Sequence, residues 1–141
     1  MNTIHFFKEG IHFRLHHQDQ LRLWISAIVR HHQCRLGEIN FIFSGDLYLL
    51  ELNKKFLKHD YFTDVITFDN ASGKKKISGE IYISYDRVAS NVKRYNTSLK
   101  DELHRVMVHG VLHLLGYKDK SAKEKALIRK AEDDWLGKRK F

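Results

Sequence analysis

Ser98-Leu99-Lys100-Asp101-Glu102-Leu103-His104-Arg105-Val106-Met107-Val108-His109-Gly110-Val111-Leu112-His113-Leu114-Leu115-Gly116 reads as one long helix running to about Leu115. Ser98 and Asp101 stand at capping-box spacing at its start. Gly116 is placed as the left-handed residue that stops it. His109 and His113 lie four residues apart, which stacks them one turn above the other on a single helix face.

Outward from this helix, the chain alternates between strand and helix patterns. Residues 65–68 and 77–85 are rich in β-branched and aromatic side chains and predict two strands. They are joined by a loop over 70–76 in which Gly73 supports a turn. A helix is expected over about 86–95. Further upstream, Ile39, Phe41 and Phe43 alternate along a strand at 38–44. Leu49, Leu52 and Phe56 share a helix face at 46–58. Leu21, Trp24, Ile25, Ile28 and Val29 give an apolar face to a helix at about 18–33. Residues 2–7 and about 11–15 read as short extended segments around Gly10. Downstream, about 121–136 reads as a final helix. The expected class is α+β: a small mixed sheet packed against several helices in one domain over residues 1–141, with the histidine pair in the C-terminal half.

A chain of 141 residues with 43% apolar content can bury a real core. No apolar run approaches the ~18–20 residues that would span a membrane, and no membrane association is expected. Residues 1–8 lack the pattern of a signal peptide. The single Cys34 has no partner for an intramolecular disulfide. Cytoplasm is the expected compartment. The 25 Lys+Arg against 17 Asp+Glu give a formal charge of +8, which favours polyanionic partners. Lys54, Lys55 and Lys58 cluster beside His59, Lys74-Lys75-Lys76 fall in the 70–76 loop, and Lys138-Arg139-Lys140 stand just before Phe141.

Neutral imidazoles four apart on a helix can offer two nitrogens to one Zn²⁺ at roughly 2.0–2.1 Å. Gly110 costs about 1 kcal/mol of helix propensity, which marks a close approach by another group. Gly116 ends the helix within a turn of His113, and Asp119 follows six residues past His113, placed to come round as a third ligand. Two histidines and a carboxylate leave a fourth position for water, as catalytic zinc requires. The same spacing also fits two ordinary polar residues on a half-exposed helix, with Gly110 permitting tight packing.

The run His109-Gly110-Val111-Leu112-His113-Leu114-Leu115-Gly116-Tyr117 resembles the H-G-x-L-H-L-x-G-Y-D-H signature of the YbeY family of bacterial endoribonucleases. Leu52-Asn53, Thr63-Asp64-Val65-Ile66-Thr67-Phe68 and Gly79-Glu80-Ile81-Tyr82-Ile83 resemble that family's L-N, P-T-D-V-L-S-F and G-D-I-x-I blocks, in the same order. The likeness covers about residues 38–136. It implies a small sheet against helices, one Zn²⁺ per chain on His109 and His113, and single-strand-specific cleavage of RNA. It also implies a role in 16S 3′-end maturation and ribosome quality control, with ribosomal RNA and the small ribosomal subunit as partners. Four positions depart from the pattern. Asp119 stands at the family's third histidine with Lys118 at the preceding aspartate, Leu57 at its arginine, and Phe62 at its proline.

Three functions follow from these residues. In a zinc-dependent endoribonuclease, a metal-bound water is the nucleophile, no catalytic side chain is identified, and Lys54, Lys55, Lys58 and Lys118 hold the RNA backbone. A metalloprotease of the H-E-x-x-H type lacks its general base, because position 110 is glycine. A non-enzymatic, metal-braced assembly factor binding ribosomal RNA or protein needs a fourth protein ligand, for which Cys34, His104 or another histidine is a candidate. Arg105 is expected in a surface ion pair, Asp64 in a turn before its strand, and Trp24 and Trp135 in helix packing.

Overall fold

The computed structural model of the protein describes residues 3–71, 73 and 75–141, so Met1, Asn2, Ser72 and Lys74 fall outside the described residues. Four strands and five helices are formed by the described residues. They are β1 (Ile4–Lys8), α1 (Gln18–His31), β2 (Arg35–Ser44), α2 (Asp46–Leu57), β3 (Val65–Asp69), β4 (Lys76–Ser84), α3 (Tyr85–Arg94), α4 (Leu99–Leu114) and α5 (Ala122–Gly137). The sheet order is β1-β2-β4-β3, with β1, β2 and β4 parallel and β3 antiparallel to β4. The expected α+β class and mixed sheet are therefore what the chain adopts.

Strand alternation decides where the core lies. Ile77, Ile81 and Ile83 of β4 and Ile39, Phe41 and Phe43 of β2 point to one face and are buried. The α4 helix lies against that face with Val106, Met107 and Val111 buried. Ten of its sixteen residues are buried, the mark of a helix with neighbours on most sides. Gly110 sets how close it comes to the sheet. A Cβ added there would sit 2.6 Å from Ile81 Cγ2 and 3.0 Å from its Cδ1. The close approach expected at Gly110 is therefore made by the sheet. Gly110→Ala should lose about 1–3 kcal/mol to overpacking, more than the roughly 1 kcal/mol that alanine adds in helix propensity. A thermal melt should show a lower Tm, and an unchanged or raised Tm would contradict the close packing.

The expected extended segment at 11–15 forms no strand. Phe13 packs instead on Phe43 and Tyr85, with ring centroids 5.2 and 4.6 Å away, and Leu15 is buried. Its apolar alternation serves a loop that lies on the core. Conversely, β2 begins three residues earlier than its apolar pattern, passing a register irregularity between Leu36 and Ile39. At the start of α4, Ser98 accepts from the Asp101 N–H, but the Asp101 carboxylate takes a bond from Arg139 at 2.7 Å. The reciprocal capping box is instead at the start of α5, between Ser121 and Glu124.

Candidate metal centre

The end of α4 is a Schellman motif. Gly116 has φ +105, its N–H reaches His113 O at 3.0 Å, and the Tyr117 N–H reaches Leu112 O at 3.0 Å. Five residues later Ser121 and Glu124 cap α5, with the Lys120 N–H also on Glu124 Oε1. The link between the helices is thus pinned at both ends, and Asp119 is held inside it. The chain doubles back there, so that α5 runs antiparallel along α4.

This return brings three donors together. His109 Nε2 and His113 Nε2 are 3.0 Å apart, and Asp119 Oδ2 is 3.3 Å from each. Four donors at about 2.0–2.1 Å around one tetrahedral metal stand about 3.3–3.4 Å from one another. The three atoms therefore nearly outline one face of such a tetrahedron, and this cluster can hold a metal ion.

The orientation of His109 is set from behind. Its Nδ1–H donates to Glu132 Oε2 at 2.6 Å, which leaves the Nε2 lone pair turned toward His113 and Asp119. The Glu132 side chain is 5% exposed, and Arg105 Nη1 holds its other oxygen at 2.9 Å while Nη2 reaches Asp133 at 2.6 Å. Arg105 thus makes the surface ion pair expected from sequence, with Asp133, and with its other nitrogen also supports the histidine through buried Glu132. Burial draws His109 toward its neutral form, but the hydrogen bond and charge of Glu132 outweigh this and leave its pKa raised. Asp64 is also drawn into the site. Burial pushes its carboxyl up, against the charge of His109 and a 3.3 Å bond from Asn91.

Two cavities meet at His109 and Asp119. One, of about 540 Å³, is bounded by His113 on one side and by Leu57, His59 and Tyr61 on the other. Its outer wall is steadied by Asn53, which is 2% exposed and donates to Tyr61 O at 2.9 Å. His59 and Tyr61 stack there with centroids 5.1 Å apart and a 2.9 Å hydrogen bond. The other cavity, of about 320 Å³, lies between α3, α4 and α5.

The lysines singled out in the sequence are not gathered at the metal cluster. Lys54, Lys55 and Lys58 are exposed on and just after α2. Lys54 lies 3.6 Å from Asp60 and Lys55 lies over the Phe56 ring. Lys118 lines a separate hollow beside Leu115 and Leu127. Lys120, which the sequence did not mark, lines the larger metal cavity. Cys34 donates to His32 O, and His104 Nδ1 takes a 2.7 Å bond from Arg139, so these two candidate fourth ligands are engaged elsewhere, and no other histidine joins the cluster among the described residues. Glu132 also escaped the sequence reading. Its signal is a carboxylate on the same helical stripe as Ile128 and Trp135.

Comparison with known proteins places this arrangement. The family profile described as Endoribonuclease YbeY matches residues 7–140. A Cytophaga hutchinsonii protein named endoribonuclease YbeY is 50% identical over 139 residues, covering 99% of this chain and 97% of the relative. A Porphyromonas gingivalis protein of the same name is 40% identical, covering 96% and 89%. The solution structure of a Thermotoga maritima protein superposes with a TM-score of 0.63 at 27% identity, covering 95% of this chain and 89% of the other. Two histidines and a helix-ending glycine at this spacing, a fold shared with a solved structure and identity over nearly the whole length agree: the chain belongs to the endoribonuclease YbeY family.

Proposed function

We propose that the chain is a single metal-dependent hydrolase domain that cuts single-stranded RNA, with one Zn²⁺ held by His109, His113 and Asp119. The observation that carries this is the 3.0–3.3 Å triangle of two imidazole nitrogens and one carboxylate oxygen, open on its cavity side. Bound there, the metal supplies an activated water and polarises a phosphoryl oxygen. Glu132 keeps the proton on His109 Nδ1, and Arg105 keeps Glu132 in place. Asp119 would hold the metal through a carboxylate and so bring a negative charge to the site that a third histidine would not. Leu57, on the cavity wall, offers no charge to a phosphate.

Its substrate is ribosomal RNA of the small subunit, and its task is 16S 3′-end maturation and ribosome quality control, in the cytoplasm. Support for an RNA substrate comes from the relatives' names and the formal charge of +8. No helix of the described residues is long and apolar enough to cross a membrane. A metal-braced assembly factor needs a closed site of four protein donors. Only three gather here among the described residues.

Asp119 tests the ligand set. Asp119→Ala should weaken zinc binding by about 10–100-fold, while Asp119→His should retain or tighten it and speed cleavage of a single-stranded ribosomal RNA fragment. Chelator competition and cleavage rates on the same preparations measure both. Equal zinc affinity in wild type and Asp119→Ala would remove Asp119 from the site.

A further inference from the structure

The smaller cavity continues the metal cavity past His109 and Asp119, and its walls are unlike those of the first. From α3 and its C-cap it takes Asn91 and Tyr95, and from α5 it takes Lys125 and Arg129. Tyr95 follows the last turn of α3 and is 57% exposed, with the Arg94 guanidinium 5.4 Å from its ring. An exposed ring beside a cation is a surface on which any base can stack.

The buried carboxylates of this cavity already have partners. Glu132 is bonded by Arg105 and His109. Asp64 and Glu102 both accept from Asn91 Nδ2, at 3.3 and 3.2 Å. The cations at the rim are less committed. The Arg129 side chain is 60% exposed and lies 3.9 Å from Glu132, the limit of an ion pair. Lys125 is exposed and makes no ion pair among the described residues. At about 320 Å³ the cavity is at the low end of ligand-pocket sizes of roughly 300–1,000 Å³, a size for one nucleotide and not for a helix or a folded loop.

We propose that the cavity between α3, α4 and α5 is a nucleotide subsite: it takes the nucleotide flanking the cut bond, with its base on Tyr95 and its outer phosphate on Lys125 and Arg129. The RNA strand then crosses the metal cluster from one cavity to the other. Cations of α5 hold the backbone in a chain whose α2 carries Leu57 at the cavity wall. This rests on the RNA-cleavage reading above and adds to it where one neighbouring nucleotide sits. Base contact in an unpaired, splayed strand also makes a double helix a poor substrate.

The test uses zinc-loaded protein and single-stranded oligoribonucleotides, with KM and kcat measured separately. Tyr95→Ala should raise KM roughly 5- to 150-fold, the range for losing one base–aromatic stack, with kcat little changed. Tyr95→Trp should restore it. On an oligonucleotide made abasic at the one nucleotide flanking the cut, wild type should fall to the Tyr95→Ala level and the variant should lose nothing more. Lys125→Ala and Arg129→Ala should each lower the slope of log(kcat/KM) against log salt by about 0.7, one phosphate contact on a single strand. Zinc stoichiometry in the three alanine variants reports that the metal site is intact. If wild type cleaves RNA and loses cleavage on metal removal, yet Tyr95→Ala has the wild-type KM, or its deficit persists at every abasic position, the subsite is overturned alone. Unchanged salt slopes in both cation variants overturn it as well. If zinc-loaded wild type does not cleave RNA, both readings fall.

Discussion

His113→Ala should reduce metal-dependent RNA cleavage to background while leaving the fold in place. His113 is on the flank of α4, its side chain 27% exposed, and its Nε2 faces His109 and Asp119. Its removal opens no core cavity, so the metal-free variant should unfold within about 1 kcal/mol of the wild type. Metal binding is another matter. Apparent binding free energies for structural zinc run to about 10–16 kcal/mol, so one of three protein donors carries several kcal/mol. A loss of roughly 10²–10³-fold or more in zinc affinity is expected. Chelator competition reads the affinity, circular dichroism the fold, and cleavage of a single-stranded ribosomal RNA fragment the activity. Cleavage equal to wild type, with contaminating nucleases excluded, would take the metal out of the reaction.

Glu132→Ala should be costly twice over. The carboxylate is 5% exposed and holds both His109 Nδ1 and Arg105. Without it, Arg105 keeps only Asp133 and His109 Nδ1 loses its acceptor, and losing a hydrogen bond to a charged group costs about 1.5–3 kcal/mol. With His109 free to turn, metal affinity should fall by about 10–100-fold. Glu132→Gln separates the effects, because it keeps a hydrogen-bond acceptor and removes the charge. The pH dependence carries a definite sign. In the metal-free protein His109 has a raised pKa. Its pair with Glu132 therefore adds stability that is fully present below the unfolded value of about 6.5 and is lost as pH rises through the folded value. Zinc needs the neutral ring, so its affinity climbs through the same window. Glu132→Gln should move both transitions to lower pH. Denaturant unfolding and zinc titration across pH 5 to 9 measure them, and transitions unmoved in the variant would disconnect Glu132 from His109.

Local chemistry in this chain was legible where the deciding residues are neighbours. Alternation marked β2, β-branched and aromatic residues marked β4, Gly116 marked the end of α4, and the four-residue interval put His109 and His113 on one face. What stayed hidden depends on contacts between distant segments. Phe13 and Leu15 alternate like a strand, and only the packing of Phe13 on Phe43 and Tyr85 shows them to be a loop on the core. Gly110 pointed to a close approach, but not that Ile81 makes it. Glu132 supports His109 from 23 positions away, an interval set by the return of α5 along α4 and by no local periodicity. The same return carries Lys125 and Arg129 to the second cavity. Which cations line the metal cavity was hidden for a related reason. Lys54, Lys55 and Lys58 stand out in a row of letters, whereas Lys120, isolated in sequence, lines the metal cavity.

The most direct measurement is a zinc titration of the stripped enzyme. Protein freed of metal by a chelator and then dialysed should not cleave a single-stranded ribosomal RNA fragment. Activity should rise linearly with added Zn²⁺ and level off at about one equivalent per chain, in wild type and not in His113→Ala. Cleavage that survives stripping, or that zinc restores equally in both proteins, would contradict a reaction carried out at His109, His113 and Asp119.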